Sequence, residues 1–312
     1  MDTHWSSYLQ VGLVHFMMYP ETMGGDGPIV ESIQRVAADP FFDVLEVTRM
    51  QDPAVRQQVR DIIDMAHMDL GFGSQPGILG NELNTAALDE DLRQRSVADI
   101  KASIDQAYEH GVRLLAMIDG LGSWPGEDRK EQAIEQVTKS LREICQYAQD
   151  QAGDYCLTIS LETFDRSIEK KSLLGPTRDA VAVGERVRET HPNFGLTIDL
   201  SHLPLLGETP EESLTLAQDL LIHTHVGNCL MRDPDHPAYG DKHPRFGAAG
   251  TENDVSDLVE FLQVLRRIGF FDKELPTRKP LVTFEVRPME GESQDVLLAN
   301  CRRVWQAAWA QL

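Results

Sequence analysis

Cysteine, long apolar runs and basic residues are all scarce in this sequence, and each shortage excludes a class of protein. The four cysteines, Cys145, Cys156, Cys229 and Cys301, show no Cys-x-x-Cys spacing, so we expect reduced thiols in a cytoplasmic protein and no disulfide framework. No apolar run approaches the roughly 18 residues of a membrane span, and residues 1–10 lack the basic and apolar segments of a signal peptide. The 29 basic and 50 acidic residues give a net charge of -21, which disfavours nucleic acid and anionic membranes as partners.

Length and hydrophobic content allow one large core. The chain has 312 residues, of which 41% are hydrophobic, and α/β barrels reach this length as one domain. No linker or low-complexity tract divides the sequence. We therefore predict a single domain over residues 1–312, in which residues 1–9 are a mobile lead-in.

Short apolar runs alternate with longer amphipathic segments along the chain, which is the pattern of repeated β/α units. The apolar runs predicted to be strands are 11–18, 42–47, 66–72, 112–118, 156–162, 194–200, 220–226 and 281–286. The segments predicted to be helices are 28–39, 52–66, 89–111, 127–150, 176–190, 209–219, 253–269 and 293–312. Asp52 before Pro53, and the capping box from Thr209 to Glu212, mark two of the helix starts.

Eight such units in a row predict a parallel sheet with right-handed crossovers. Eight strands are the number that closes an α/β barrel of the (β/α)8 or TIM type, with the helices outside. An open doubly wound sheet is the alternative. It is the weaker one, because residues 18–27 do not match the Gly-rich phosphate fingerprint that would follow its first strand.

Each predicted strand from the fifth to the eighth carries an ionisable residue near its carboxyl end. These residues are Glu162, Asp199, His225 and Glu285. The active site of a TIM barrel lies at this end of the strands, and buried carboxylates without a compensating charge would be prohibitive. A divalent cation held by all four side chains removes this conflict. The donor set favours Mn²⁺ or Mg²⁺, with Co²⁺ or Zn²⁺ as further options, and no organic cofactor is expected.

Each of these residues also has an ordinary structural explanation. A lone carboxylate at a strand end is often a helix cap or a salt-bridge partner, and Arg287 could serve only to neutralise excess carboxylate. His223 lies on the same face of its strand as His225, but it is more easily explained as a core residue, or as a residue that supports a ligand, than as a ligand itself. The metal-site prediction depends on the joint pattern, because four independent accidents on neighbouring strands are improbable.

A long loop after the seventh predicted strand contains a second group of polar residues. Asp241 and His243 form an Asp-x-His pair there, and long ordered loops in barrels usually carry function. Lys170, Lys171 and Arg245 are considered as phosphate contacts, with an unphosphorylated substrate equally open. The residues predicted to contact a substrate are His15, His202, Asp241, His243, Arg245 and Arg287.

The motifs at these positions resemble those of the xylose isomerase-like TIM-barrel superfamily, in particular its sugar-phosphate isomerase/epimerase group. They are LET at Glu162, DLSH from Asp199 to His202, HVGN from His225, GAAG at 247–250 and FEV at Glu285. The resemblance covers most of the chain and implies a Mn²⁺-type site made of Glu162, Asp199, His225 and Glu285. It also implies that Glu162 and Glu285 exchange protons with the substrate, and that His202 contacts a substrate oxygen.

Two loops also resemble the catalytic subunits of C-glycoside deglycosidases, which are TIM barrels too. The likeness is carried by DRSIEKKSLLGP at 165–176, by GDKHPRFG at 240–247 and by EVT at 46–48. It implies a lyase that cleaves 3-oxo-glycosides by elimination. It also implies a small β-rich partner subunit.

The Asp-x-His pair resembles the apurinic-site endonucleases of the same superfamily as well. There the counterparts of His202, Asp241 and His243 hold an additional zinc. Those enzymes also use histidines from the third and fourth strands, and here His67 lies near the start of the third while the fourth offers none. With the acidic charge, this makes a nuclease the weaker prediction, and it leaves a second metal as an open question.

Three functional hypotheses follow. The first is a metal-dependent sugar isomerase or epimerase, an oligomer, in which a glutamate removes the proton beside a carbonyl to give an enediolate. Return of the proton gives epimerisation or isomerisation, and loss of a β substituent gives elimination. The second hypothesis is a multinuclear zinc phosphodiesterase or endonuclease. The third is a non-catalytic barrel in which the carboxylates pair with Arg287 and the histidines.

Overall fold

A computed structural model describes residues 4–312, so residues 1–3 of the predicted lead-in lie outside the described residues. Eight parallel strands pair in chain order, and the last pairs with the first to close a barrel. They are β1 Gln10–Val14, β2 Val44–Val47, β3 Asp69–Gly73, β4 Leu114–Met117, β5 Thr158–Glu162, β6 Phe194–Asp199, β7 Leu221–Gly227 and β8 Leu281–Glu285. The closed barrel with surrounding helices confirms the predicted TIM fold.

Every predicted helix forms within a few residues of its expected bounds. The α-helices are α1 His15–Met18, α2 Ile29–Ala37, α3 Pro53–Ala66, α4 Gln75–Gly80, α5 Glu90–Glu109, α6 Lys130–Asp150, α7 Thr177–Arg188, α8 His202–Leu206, α9 Pro210–Ala217, α10 Val255–Arg267 and α11 Gln294–Trp309. The short helices α1, α4 and α8 were not predicted, and they follow β1, β3 and β6 at the carboxyl end of the barrel. Within residues 4–312, no helix combines the length and apolar character needed to cross a bilayer.

The described part of the predicted lead-in packs against the barrel. Trp5–Ser7 form a 3-10 helix, and the ring of Trp5 lies 5.8 Å from Phe41 and 6.3 Å from Trp305. Leu9 is fully buried. The segment therefore contributes apolar contacts to the amino-terminal end of the barrel.

Two strand predictions have wrong bounds, and each has a local cause. β1 ends at Val14, and the apolar run continues into one helical turn, since burial alone does not separate strand from helix over so few residues. β3 begins at Asp69, later than predicted. His67 ends α3 with a left-handed backbone, φ 57°, so the chain needs two more residues to enter the strand.

A register shift between β6 and β7 sets the level of the two β7 histidines. Leu196 pairs with Leu221, but the next residue, Thr197, pairs with His223, so β7 contains one extra residue. Beyond this bulge Asp199 lies opposite His225. Because side chains alternate along a strand, His223 and His225 then share one face of β7 and both are buried in the barrel.

Candidate metal centre and active site

The four residues predicted to bind a metal come together at the carboxyl ends of β5 to β8. One donor atom from each of them lies within 4.8 Å of the others. All four side chains are buried: Glu162, Asp199, His225 and Glu285. Donors bind divalent ions at about 2.0–2.6 Å, so two ligands of one ion are at most about 5 Å apart. The spacing therefore fits one cation, and we call these four residues the ligand cluster.

Hydrogen bonding leaves oxygen atoms of the ligand cluster unsatisfied. Nδ1 of His225 lies 3.0 Å from Oε1 of Glu162 and 2.9 Å from Oε2 of Glu285, although it carries one proton at most. Oε2 of Glu285 and Oδ2 of Asp199 are buried without a hydrogen-bond partner in the described chain. Buried acceptors in this state are costly. The donor set therefore fits a divalent metal ion.

Neighbouring groups hold the other carboxylate oxygens in place. Gln75, at the start of α4, donates from Nε2 to Oε2 of Glu162 at 2.8 Å. The backbone N–H of Ser201 donates to Oδ1 of Asp199 at 2.7 Å. Gln75 was not predicted, and its only sequence signal is its place two residues after the third strand.

The carboxylates make His225 strongly basic. Burial alone would lower the pKa of an imidazole, but the charges of Glu162, Glu46 and Glu285 outweigh burial and raise the pKa of His225 well above its usual value. A cation at Nδ1, whether a proton or a metal ion, is therefore favoured.

His202, Asp241 and His243 form a second cluster beside the first. Oδ1 of Asp241 lies 3.1 Å from Nε2 of His202 and 2.8 Å from Nε2 of His243. Nδ1 of His202 donates to the carbonyl of Thr163 at 2.7 Å, whereas its Nε2 and Oδ1 of Asp241 form no aligned hydrogen bond. Donor atoms of His202, His243 and Asp199 also lie within 4.8 Å of one another. This second cluster could hold another cation or a polar group of a substrate.

The second cluster is strongly polarised. Against the effect of burial, Asp241 and Asp199 raise the pKa of His202 well above its usual value. Burial also opposes the charged form of His243, yet Glu285 and Asp241 raise the pKa of His243 to about 9. Each imidazole is therefore stabilised when it carries a proton or binds a cation.

The backbone around His243 is built for a close approach. His243 has a left-handed φ of 51°, which costs about 1 kcal/mol or more for a residue with a side chain. A Cβ on Gly227 would lie 3.0 Å from Nδ1 of His243 and 2.6 Å from the carbonyl oxygen of Glu285. Only glycine leaves this room, and strained backbone of this kind concentrates at functional sites.

Lys170 ties the loop after β5 to the second cluster. Its Nζ lies 2.9 Å from Oδ2 of Asp241 and 3.1 Å from Oε1 of Glu169. Burial opposes its charge, but these two carboxylates raise the pKa of Lys170. Lys170 is thus paired within the protein, while Lys171 is exposed. Neither position provides evidence for a bound phosphate.

A cavity of about 330 Å³ opens in front of both clusters. The residues that form its polar side are Gln75, Lys170, Asp241, His243 and Glu285. The apolar residues that line it from the segments after β1 and β3, which we call the apolar wall, are Phe16, Met17, Met23, Pro76 and Leu79, and Phe164 after β5 lines it as well. Another cavity, of about 390 Å³, lies at the amino-terminal end near Gln10 and Asp69, away from the end where barrels of this type place their chemistry.

Four predicted substrate contacts do not line this cavity: His202, which lies in the second cluster, and His15, Arg245 and Arg287. His15 is buried and bonds to Oγ of Ser32 at 2.8 Å, and burial lowers the pKa of His15 to about 3. Nε of Arg245 donates to Glu292 at 3.1 Å. The backbone N–H of Arg287 donates to the carbonyl of His243 at 2.7 Å. Its guanidinium forms no ion pair with a residue in 4–312, so of the pairings in the non-catalytic alternative only those with histidines are present.

Glu46 on β2 is a buried polar residue that sequence reasoning missed. Its two oxygens lie 2.8 Å from Nε2 of His223 and 3.1 Å from Nε2 of His225. Burial would raise the pKa of this carboxyl, but the two imidazoles hold the pKa of Glu46 well below its usual range. The available signal was a glutamate inside an apolar run, VLEV, which a buried strand accepts only when a partner compensates it.

Comparison with known proteins assigns this chain to a family. The family model for xylose isomerase-like TIM barrels matches residues 34–298. No curated protein matches the sequence.

Solved structures of proteins with different activities share the fold of this chain. The D-psicose 3-epimerase of Clostridium cellulolyticum H10, with D-tagatose, is 18% identical with a TM-score of 0.66, and the match covers 97% of each chain. The E. coli 3-keto-D-glucoside 4-epimerase YcjR is 15% identical with a TM-score of 0.66, covering 96% of this chain and 99% of that one. A family 2 AP endonuclease of Brucella melitensis is 16% identical with a TM-score of 0.64, covering 94% and 98%. At these identities the likeness is one of fold.

Proposed function

This chain belongs to the xylose isomerase-like TIM barrels, and on that premise we propose that it is a divalent-metal-dependent enzyme that transfers a proton beside the carbonyl group of a keto sugar or sugar derivative. The observation that carries the proposal is the ligand cluster, in which four buried donors converge and two carboxylate oxygens lack partners. The epimerase activities of two proteins of like fold support the sugar class.

The chain's own residues suggest how the proton moves. When bound, a divalent metal supplies Lewis-acid polarisation of the substrate's oxygens. Glu285 lines the cavity, so its carboxylate removes the proton to give an enediolate. Glu162, held by Gln75, returns a proton to the other face in an epimerisation. His202 orients a substrate oxygen, and Asp241 and His243 extend this contact.

The ligand set favours Mn²⁺ or Mg²⁺, with Co²⁺ and Zn²⁺ as alternatives, because carboxylate oxygens outnumber the single imidazole. We assign the second cluster to the substrate. If it instead holds zinc, elemental analysis will find more than one metal per chain. That result would favour the phosphodiesterase or endonuclease alternative.

Elimination from a 3-oxo-glycoside is a second candidate, and the apolar wall favours it. A free ketose carries hydroxyl groups along its length and gains little from five apolar neighbours. A sugar with an apolar aglycone would bury that group against the wall. The same enediolate then expels the aglycone as a β substituent, and the small β-rich partner subunit belongs to this alternative.

Proton exchange tests the proposal independently of the final product. The Mn²⁺-loaded protein would be incubated in deuterated water with ketoses, their phosphates and 3-oxo-glycosides. We expect deuterium at the carbon beside the carbonyl, and we expect Glu285→Gln to lower its uptake at least 100-fold. Glu290→Gln, an exposed glutamate of the same segment, is the matched control and should exchange normally. Absence of exchange with every substrate, despite bound metal, would contradict the proposal.

Cell compartment and assembly stay predictions. The four thiols are free in the structure, in keeping with the predicted cytoplasmic location. Residues 4–312 form one closed barrel, and we propose that this barrel acts as a single catalytic domain. An oligomer is expected, and light scattering of the purified chain would measure it.

A further inference from the structure

The carboxylate of Glu46 lies on the far side of the His225 ring from the ligand cluster. Nε2 of His225 is 3.1 Å from Glu46, whereas Nδ1 faces Glu162 at 3.0 Å and Glu285 at 2.9 Å. The other oxygen of Glu46 lies 2.8 Å from Nε2 of His223. Glu46 is 1% exposed, so water does not compete for these bonds.

These contacts offer a carboxylate acceptor to Nε2 of each ring, and a metal ion held by Nδ1 of His225 would leave Nε2 as the nitrogen that carries the proton. A carboxylate accepts hydrogen bonds through both oxygens, so His223 and His225 can both donate from Nε2. A neutral His225 that does so has its lone pair on Nδ1, the atom that points at the ligand cluster. His223 is fixed at its other end too, because its Nδ1 lies 3.1 Å from the hydroxyl of Thr197.

The barrel is shaped around this glutamate. Gly71 on β3 pairs with Glu46 across the sheet, and a Cβ on residue 71 would lie 2.7 Å from Cγ of Glu46, closer than real atoms approach. Glycine weakens a strand interior and often marks the close approach of another group. Any larger residue at position 71 would displace the carboxylate from His225.

We propose that Glu46 is a positioning residue, which holds His225 in the orientation and tautomer that present Nδ1 as a metal ligand. Because Glu46 acts through His225, the inference rests on the proposed metal centre. Carboxylates that bond to the outer nitrogen of a ligating histidine fix its ring and strengthen it as a ligand. A purely structural Glu46 would affect folding stability and leave metal affinity unchanged.

Metal affinity separates these two roles. Affinity for Mn²⁺ would be measured by competition with a chelator for wild type and for Glu46→Gln, which preserves the shape of the side chain. We expect binding to weaken about 10- to 100-fold. Gly71→Ala, which displaces the carboxylate and keeps its charge, should weaken binding in the same direction and remains a test if Glu46→Gln fails to fold. Asp119→Asn is the matched control, a fully buried carboxylate bonded to Ser172 and Ser123, and should bind normally.

The ligating nitrogen gives a second readout. Long-range ¹H–¹⁵N spectra of the Zn²⁺-loaded wild type should show the His225 proton on Nε2. A proton on Nδ1, or equal Mn²⁺ affinity in wild type, Glu46→Gln and Gly71→Ala, would overturn the positioning role and leave the proposed function standing. Failure of the wild type itself to bind metal would overturn both.

Discussion

The two halves of the barrel meet at one rim but differ in chemistry. Strands β5 to β8 bring four ionisable side chains to this rim, those of the ligand cluster. Strands β1 to β4 end in residues without charge: Val14, Val47, Gly73 and Met117. The segments after β1 and β3 supply the apolar wall. Since parallel strands of a closed barrel all end at the same face, one half can carry the reaction while the other binds and shields the substrate.

Two buried aspartates show that hydrogen-bond partners, more than burial, decide whether a carboxylate supports the structure or is available to a cation. Asp119 follows β4 and is fully buried, but its oxygens accept from Ser172 at 2.6 Å and from the N–H of Leu174 at 2.9 Å. Asp199 is equally buried and keeps one oxygen without a partner. The hydrogen bonds of Asp119 link it to the loop that contains Ser172 and Leu174, whereas Asp199 keeps an oxygen that could bind a cation.

The largest predicted effect comes from replacing these two aspartates and comparing the response of each variant to Mn²⁺. Asp199→Asn should weaken Mn²⁺ binding at least 100-fold, because it removes a charged ligand. Ligand at 100 times its dissociation constant stabilises a fold by about 2.7 kcal/mol, so Mn²⁺ should raise the Tm of wild type and not of Asp199→Asn. Asp119→Asn should lower the Tm directly but keep the Mn²⁺ response. An unchanged response in Asp199→Asn would place the metal elsewhere.

The next prediction concerns His15, the buried imidazole of the apolar half. Its pKa is lowered to about 3 in the fold, while the unfolded chain takes up this proton near pH 6.5. Its contribution to stability is therefore present above pH 6.5 and is lost as pH falls towards 3, by roughly 4 kcal/mol. His15→Gln should flatten the acid side of the stability profile in urea unfolding. The exposed His236 offers His236→Gln as a control, and an equal effect there would contradict this origin.

A smaller effect is expected at Lys170, which stabilises the polar half. Lys170→Met would leave Asp241 buried without its lysine partner, and breaking one side of a buried pair costs about 3 kcal/mol. Chemical unfolding should show this loss of stability. Lys171→Met changes an exposed neighbour and should have almost no effect. Similar stabilities for the two variants would show that the link between the loops is not energetically important.

The smallest effect tests substrate selection by the apolar wall. Met23→Ser should lower kcat/KM for an aryl 3-oxo-glycoside about tenfold, since burying one apolar side chain is worth about 1.5 kcal/mol or more. The kcat/KM for a free ketose should stay the same. Met65→Ser, at an 84% exposed site on α3, is the control. Equal losses for both substrates would remove the evidence for an apolar aglycone.

The ligand cluster could be predicted because the fold itself brings its members together. Alternation of apolar and amphipathic segments indicates a parallel barrel, and a parallel barrel places all strand ends side by side. The position of Glu162, Asp199 or Glu285 at the end of a predicted strand was therefore enough. No knowledge of side-chain direction was needed.

The contacts that were not predicted depend on the directions of individual side chains, which no local sequence pattern encodes. Glu46 contacts His223 across the barrel, although 177 residues separate them in sequence. The bulge between β6 and β7 sets the position of the two histidines along the strand, and the hydrophobic periodicity of the sequence does not reveal it. Gln75 faces Glu162 because an unpredicted helix starts there. His15 was predicted to contact substrate from a strand, but it lies in a helical turn whose packing directs it to Ser32.

Anomalous diffraction from crystals containing Mn²⁺ tests the metal centre most directly. We predict one strong peak within about 2.0–2.6 Å of donor atoms from Glu162, Asp199, His225 and Glu285, with Nδ1 as the donor of His225. Asp199→Asn crystals prepared in the same way should lose the peak. No peak at the ligand cluster of a folded wild-type protein, or a peak that persists unchanged in Asp199→Asn, would contradict the account.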